Sequence, residues 1–310
     1  NVDIVVVATS GKAGLAPSFS AVRAGKRLAL ANKEVLVMAG ALLEHECRHR
    51  CSTVYPVDSE HSAIWQCLLG ETACHDAAAS EGTIGLCGVP PVARRLILTA
   101  SGGAFRDVPL ERLNTVTPEE ALRHPTWLMG PRITIDSATM VNKGLEIIEA
   151  RWLFGMDYDR IEVVIHRESV IHSMVEFFDG TAKAELSVPD MRFPIQFALT
   201  HPERWDSTLP SLDFTRLGNL TFEPVDYERY PGLALAIEAG RRGGTYPAVL
   251  AAADEVAVGM FLDKAIGFLD ITRLIDNVLQ DHSSVAEPTL ADILAADHWA
   301  RQRCRQLAGV

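Results

Sequence analysis

Two short apolar runs near the start, residues 3–8 and 27–31, flank a Ser10-Gly11-Lys12-Ala13-Gly14 turn and one apolar-periodic stretch that reaches Gly25. No other feature restricts the fold as strongly. A strand, a crossover helix and a second strand is the order that sets strands side by side in parallel, since a parallel connection takes a dozen residues or more. The pattern predicts the last βαβ unit of a doubly wound nucleotide domain, with residues 1–8 a buried strand. The G-x-G-x-x-G fingerprint of a pyrophosphate-binding turn occurs nowhere in the sequence. The expectation is therefore that the chain opens in mid-domain, residues 1–32 being the remnant of a nucleotide-binding domain.

Beyond that unit, residues 53–57, 95–99, 161–166, 170–177 and 182–188 read as strands interspersed with helices. The turns at Arg167-Glu168 and Asp179-Gly180 suggest that the last three strands are antiparallel neighbours. Residues 33–202 are thus expected to form an α+β catalytic domain with a mixed sheet. The proline-bearing stretch 203–226 reads as a surface linker. Residues 227–310 carry four helical patterns, at 232–240, 247–262, 271–280 and 289–307, the content of a small bundle. The fold class is α/β and α+β multidomain, and 310 residues suffice for more than one core.

Composition removes several functions. The chain is 48% hydrophobic and 22% charged, without an apolar run of the roughly 20 residues that a membrane-spanning helix needs. A formal charge of -11 argues against nucleic-acid binding, which relies on clustered Lys and Arg. Six cysteines, Cys47, Cys51, Cys67, Cys74, Cys87 and Cys304, show no repeated pairing and fit reduced thiols in a cytoplasmic protein. The segment His45-Glu46-Cys47-Arg48-His49-Arg50-Cys51 reads as a helix end rather than a zinc site.

Four segments can carry chemistry. In Val57-Asp58-Ser59-Glu60-His61 a strand gives way to a helix. If Asp58 to Glu60 stay extended, their carboxylates face one side as paired oxygen ligands; if the helix starts there, Asp58 caps it. In the run from Asp136 to Glu146, Asn142, Lys143 and Glu146 project from one helical face, either as a site or as a solvated ion pair. Ser137, placed at the expected helix start, would favour an anion such as phosphate. Ser101-Gly102-Gly103 follows an apolar strand and allows close backbone approach to a phosphate, or is a plain loop. His124-Pro125-Thr126-Trp127-Leu128-Met129-Gly130 suits a closing lid or a packed loop.

In one order, these motifs resemble the 1-deoxy-D-xylulose 5-phosphate reductoisomerase family, together with Leu30-Ala31-Asn32-Lys33-Glu34, Glu149-Ala150-Arg151-Trp152, Ser169-Val170-Ile171-His172-Ser173-Met174 and Pro189-Asp190-Met191-Arg192. The resemblance implies rearrangement and NADPH-dependent reduction of a small phosphorylated sugar in non-mevalonate isoprenoid synthesis. It implies Asp58, Glu60 and Glu146 as ligands of Mg²⁺ or Mn²⁺, with Co²⁺ admissible. Ser101, Ser137, Asn142, Lys143 and His124 would hold the phosphate, while Lys33 and Ser59 meet the substrate near the metal and Trp127 closes over it. Catalytic roles then fall to Lys33, Glu60, His124 and Glu146. Ala8, Thr9, Ser10, Asn32, Glu34, Met129, Gly130 and Met191 would line the NADPH site. A homodimer is implied, in a bacterial cytoplasm or a plastid. Two alternatives stand beside it: a nicotinamide-independent metal-dependent sugar-phosphate isomerase, and a non-catalytic assembly module. The sequence departs from the family pattern at Arg167-Glu168, at Pro131, and at Asp254 in place of a customary asparagine.

Overall fold

The computed structural model describes residues 2–71 and 92–309, so Cys74 and Cys87 lie outside the described residues. In chain order it runs β1 (Ile4–Val7), α1 (Leu15–Arg23), β2 (Arg27–Leu30), α2 (Lys33–Arg50), β3 (Val54–Pro56), α3 (Ser59–Leu68) and β4 (Ala93–Ala100). There follow α4 (Pro118–Ala121), α5 (Pro131–Thr139), α6 (Val141–Phe154), β5 (Ile161–Ile165), β6 (Ile171–Phe177), β7 (Ala182–Leu186) and α7 (Arg192–Thr200). The chain ends with β8 (Glu223–Pro224), α8 (Pro231–Arg242), α9 (Tyr246–Leu262), α10 (Phe268–Gln280) and α11 (Leu290–Ala308). Two compact units result: one of Asn1–Leu36, Gly40–Ala100 and Glu149–Pro224, the other of Val37–Ala39, Ser101–Ile148 and Val225–Val310.

The first unit holds two sheets, β1-β2-β3 and β7-β6-β4-β5-β8. The βαβ reading holds, since β1 pairs with β2 in parallel. β3, expected in the mixed sheet, instead extends the parallel one beside β2. The boundary expected after Asn32 therefore falls inside that sheet. β1 is its edge strand, and Val6 is 49% exposed where a buried strand was expected.

In the second sheet β4 lies between β5 and β6, parallel to the first and antiparallel to the second. The hairpin expected at Arg167-Glu168 is thus absent, while that at Asp179-Gly180 joins β6 to β7 as expected. The reason is His166, whose backbone N–H donates to Ala100 O at 2.7 Å and continues the β4 register. Its buried ring accepts at Nε2 from the N–H groups of Val170 (3.2 Å) and Ile171 (3.1 Å), so the turn wraps an imidazole and passes over β4. The stretch read as a linker is tied to this unit: β8 pairs with β5, and Thr221 O accepts from His166 Nδ1 at 2.9 Å. The core centres on fully buried Trp65, stacked on Tyr55 at 5.0 Å and edge-on to Phe197 at 4.7 Å.

The second unit contains the four expected helices α8–α11, with α4 and α5. α9 is apolar around most of its circumference and is correspondingly buried from Tyr246 to Ala253, which makes it the central helix. α8 approaches α6 closely, because a Cβ on Gly144 would stand 2.2 Å from Ala236 Cβ. Among the described residues no helix is long and apolar enough to cross a membrane, and Cys47, Cys51, Cys67 and Cys304 form no disulfide.

Candidate active site

In the first unit the predicted residues follow the carboxyl ends of three parallel strands, the edge at which open α/β sheets bind ligands. Ala8, Thr9 and Ser10 are exposed just past β1. Asn32 follows β2 and caps α2, its Oδ1 accepting from Val35 N at 3.0 Å. Its amide nitrogen donates to Gly11 O at 2.8 Å and to Thr9 O, which fastens the turn after β1 to the start of α2. Lys33 and Glu34 open α2, and Glu34 is buried. Past β3, Asp58 caps α3 by accepting from Ser59 N at 3.0 Å. Lys33 Nζ reaches Asp58 Oδ2 at 2.9 Å, and Ser59 Oγ donates to Glu60 Oε2 at 2.6 Å. Met191, which is 37% exposed, precedes α7 in the same unit.

The extended alternative for Asp58 to Glu60 therefore does not hold. α3 begins at Ser59, so Glu60 occupies its first turn, where the helix dipole favours a carboxylate. Two residues that sequence reasoning passed over also belong here. Ligand atoms of Asp58, His61 and Glu149 lie within 4.8 Å of one another, and His61 and Glu149 are buried. Spacing held the signal: His61 is three residues after Asp58, and Glu149 three after Glu146.

In the second unit Ser101, His124 and Ser137 converge. His124 Nδ1 accepts from the backbone N–H groups of Trp127 (2.9 Å) and Thr126 (3.2 Å). An acceptor at Nδ1 places the ring proton on Nε2, which faces Ser101 Oγ at 2.9 Å and Ser137 Oγ at 3.3 Å. Burial, aided by the charge of Arg106, lowers the His124 pKa to about 4. Gly103, at φ 70°, donates its N–H to Ser101 Oγ at 3.2 Å. A Cβ there would stand 2.6 Å from Ala138 Cα, so this position demands glycine on both counts. Trp127 and Met129 are partly exposed, and Gly130 caps α5.

Ser137 does not open a helix. Pro131 at the first helical position starts α5 six residues earlier, and Met140 in the left-handed region (φ 58°) ends it. The helix start nearest in sequence is that of α6, whose first turn carries Asn142 and Lys143. Glu146 Oε1 accepts from Asn142 Nδ2, and Lys143 Nζ donates to Glu146 Oε2 at 2.5 Å. The solvated-pair alternative fails, because Lys143 is 5% and Glu146 1% exposed. Both oxygens of the Glu146 carboxylate are thus engaged by donors.

The chain as a whole is similar to known proteins. Family models described as 1-deoxy-D-xylulose 5-phosphate reductoisomerase, its C-terminal domain, and DXP reductoisomerase C-terminal domain match residues 1–40, 54–154 and 186–303. The chain is 54% identical to the 1-deoxy-D-xylulose 5-phosphate reductoisomerase of Heliobacterium modesticaldum, over 99% of this chain and 74% of that protein. The solved Zymomonas mobilis enzyme in complex with NADPH is 45% identical with a TM-score of 0.87, over 99% of this chain and 75% of that one. A reductoisomerase solved with NADPH, fosmidomycin and magnesium is 40% identical with a TM-score of 0.90, over 99% and 76%. With family models, sequence identity and fold in agreement, the chain belongs to the 1-deoxy-D-xylulose 5-phosphate reductoisomerase family.

Proposed function

We infer that the chain isomerises 1-deoxy-D-xylulose 5-phosphate and reduces the product with NADPH to 2-C-methyl-D-erythritol 4-phosphate. The observation that carries this reading is the convergence of Ser101, Ser137 and a neutral His124 on one point, a donor set shaped for a phosphate. Asn142 and Lys143 are proposed to complete that set.

Asp58, Glu60 and Glu146 are proposed as ligands of Mg²⁺ or Mn²⁺. All-oxygen, anionic donors suit a hard cation better than zinc, and the relative solved with fosmidomycin was solved with magnesium. When bound, the cation supplies Lewis acidity at the ketone and its neighbouring hydroxyl, and NADPH supplies the hydride. The chain's own residues do the rest. Lys33, already held at the Asp58 carboxylate, adds positive charge where substrate oxygen becomes anionic. Ser59 orients a substrate hydroxyl, while Trp127 excludes water from above. Ala8, Thr9, Ser10, Asn32, Glu34, Met129, Gly130 and Met191 are proposed for the nicotinamide cofactor. Both alternatives weighed on the sequence give way to the family: the relative 54% identical to this chain is a reductoisomerase, and two solved relatives carry NADPH. Bacterial relatives support a bacterial cytoplasmic setting, and the family resemblance supports a homodimer.

The test is calorimetric titration of fosmidomycin into the chain with and without Mn²⁺, followed by NADPH consumption on 1-deoxy-D-xylulose 5-phosphate. Binding should require the metal and vanish in Glu146→Gln. Metal-independent binding, or none from a folded chain, sinks the reading.

A further inference from the structure

His61 has no role in the reading above, yet its placement is specific. The ring is fully buried and lies nearly parallel to Phe154, 6.3 Å away, so it cannot touch a substrate. Its Nδ1 stands 3.9 Å from Asp58 Oδ2 and 3.9 Å from Glu149 Oε2. Those distances exceed a hydrogen bond, so the imidazole edge faces both carboxylates across a short gap. Asp58 is thus bounded on three sides: Ser59 N–H donates to Oδ1, Lys33 Nζ pairs with Oδ2, and the imidazole edge faces Oδ2. Glu149, its side chain 4% exposed, backs the imidazole from α6.

We propose that Glu149 and His61 are positioning residues that fix the Asp58 carboxylate for the cation. The proposal rests on Asp58 being a metal ligand. Groups behind a ligand commonly govern affinity by 10- to 100-fold, because they set its orientation before the ion arrives. A cation taken directly by Asp58, His61 and Glu149 is the competing use of the same atoms, and it is one of the outcomes of the test.

The test is titration of Mn²⁺ alone into the metal-free full chain by calorimetry, for wild type, Asp58→Asn, His61→Asn, Glu149→Gln and the double variant His61→Asn/Glu149→Gln. Glu149→Gln keeps size and shape, which guards against misfolding, and thermal unfolding of each metal-free variant checks it. Positioning predicts roughly 10- to 100-fold weaker Mn²⁺ binding in each single variant and no further loss in the double variant. It also predicts that excess Mn²⁺ recovers turnover in His61→Asn but not in Asp58→Asn. Unchanged affinity in both single variants overturns the proposal, as does a second bound Mn²⁺ in wild type that disappears with His61. Wild-type Mn²⁺ binding that ignores Asp58→Asn would overturn the metal-site reading itself, a result told apart by that variant alone.

Discussion

His124 is the residue whose chemistry the structure defines most closely. Burial, aided by the charge of Arg106, lowers its pKa to about 4 from the ordinary 6.5, and the two backbone N–H groups donating to Nδ1 suit the same neutral ring. The folded chain then binds fewer protons here than the unfolded chain between those values. Its contribution to stability is therefore full above about pH 6.5 and declines as pH falls towards 4. Imidazole nitrogen NMR should show His124 neutral at pH 5 in the unliganded chain, and inorganic phosphate should raise its pKa by placing an anion at Nε2. A ring that titrates near 6.5 without phosphate would contradict the geometry. Ser101→Ala removes one hydroxyl from the same point. A hydrogen bond to a charged group contributes about 1.5–3 kcal/mol, so KM for the sugar phosphate should rise roughly 10- to 100-fold with kcat changed much less. An equal fall in kcat would place Ser101 in the transition state instead.

At the scale of elements, what could be read from the sequence was whatever lies in one continuous segment. The βαβ start and the four C-terminal helices were legible because periodicity is local, whereas the roles of the motif residues came from a family resemblance and not from spacing. The insertion of β4 between β5 and β6 was not, since strand order depends on which distant strand a turn is carried past, here through His166. Ser137 was misplaced for a local reason: Pro131 directly after Gly130 is itself a helix-start signal and outweighs the hydroxyl six residues on. Packing between helices left a trace only in glycine. Gly144 and Ala236 touch where α6 meets α8, on the helix that presents Asn142, Lys143 and Glu146. Gly144→Ala should cost about 1–3 kcal/mol through overpacking and weaken substrate binding by shifting that helix. Adding Ala236→Gly should restore much of both, as read by thermal unfolding and KM; a double variant no better than Gly144→Ala would show that the cost is not the clash.

On the whole molecule the formal charge of -11 acts on every cation experiment, because an acidic chain gathers divalent ions diffusely as well as at a site. The two contributions differ in how they reach stability. Diffuse ions screen repulsion and are replaced by sodium at equal ionic strength, whereas an ion held by native carboxylates binds the folded state and adds RT ln(1 + [L]/Kd). At a hundred times Kd this is about 2.7 kcal/mol, enough to raise the unfolding temperature by several degrees. Mn²⁺ should therefore raise Tm beyond matched sodium chloride, with a logarithmic dependence on concentration above Kd. Glu60→Gln and Glu146→Gln should each abolish the excess, although one carboxylate in so acidic a chain barely alters diffuse attraction. Glu146→Gln carries a second signature, since Lys143 loses the anion that compensates its buried charge and the metal-free variant should itself melt lower. Glu60 is half-buried in a first helical turn beside the Ser59 hydroxyl, so its metal-free variant should melt near wild type. An Mn²⁺ shift that survives both substitutions would mean that the ion is held by the surface at large, and the carboxylates would then be left to capping and ion pairing alone.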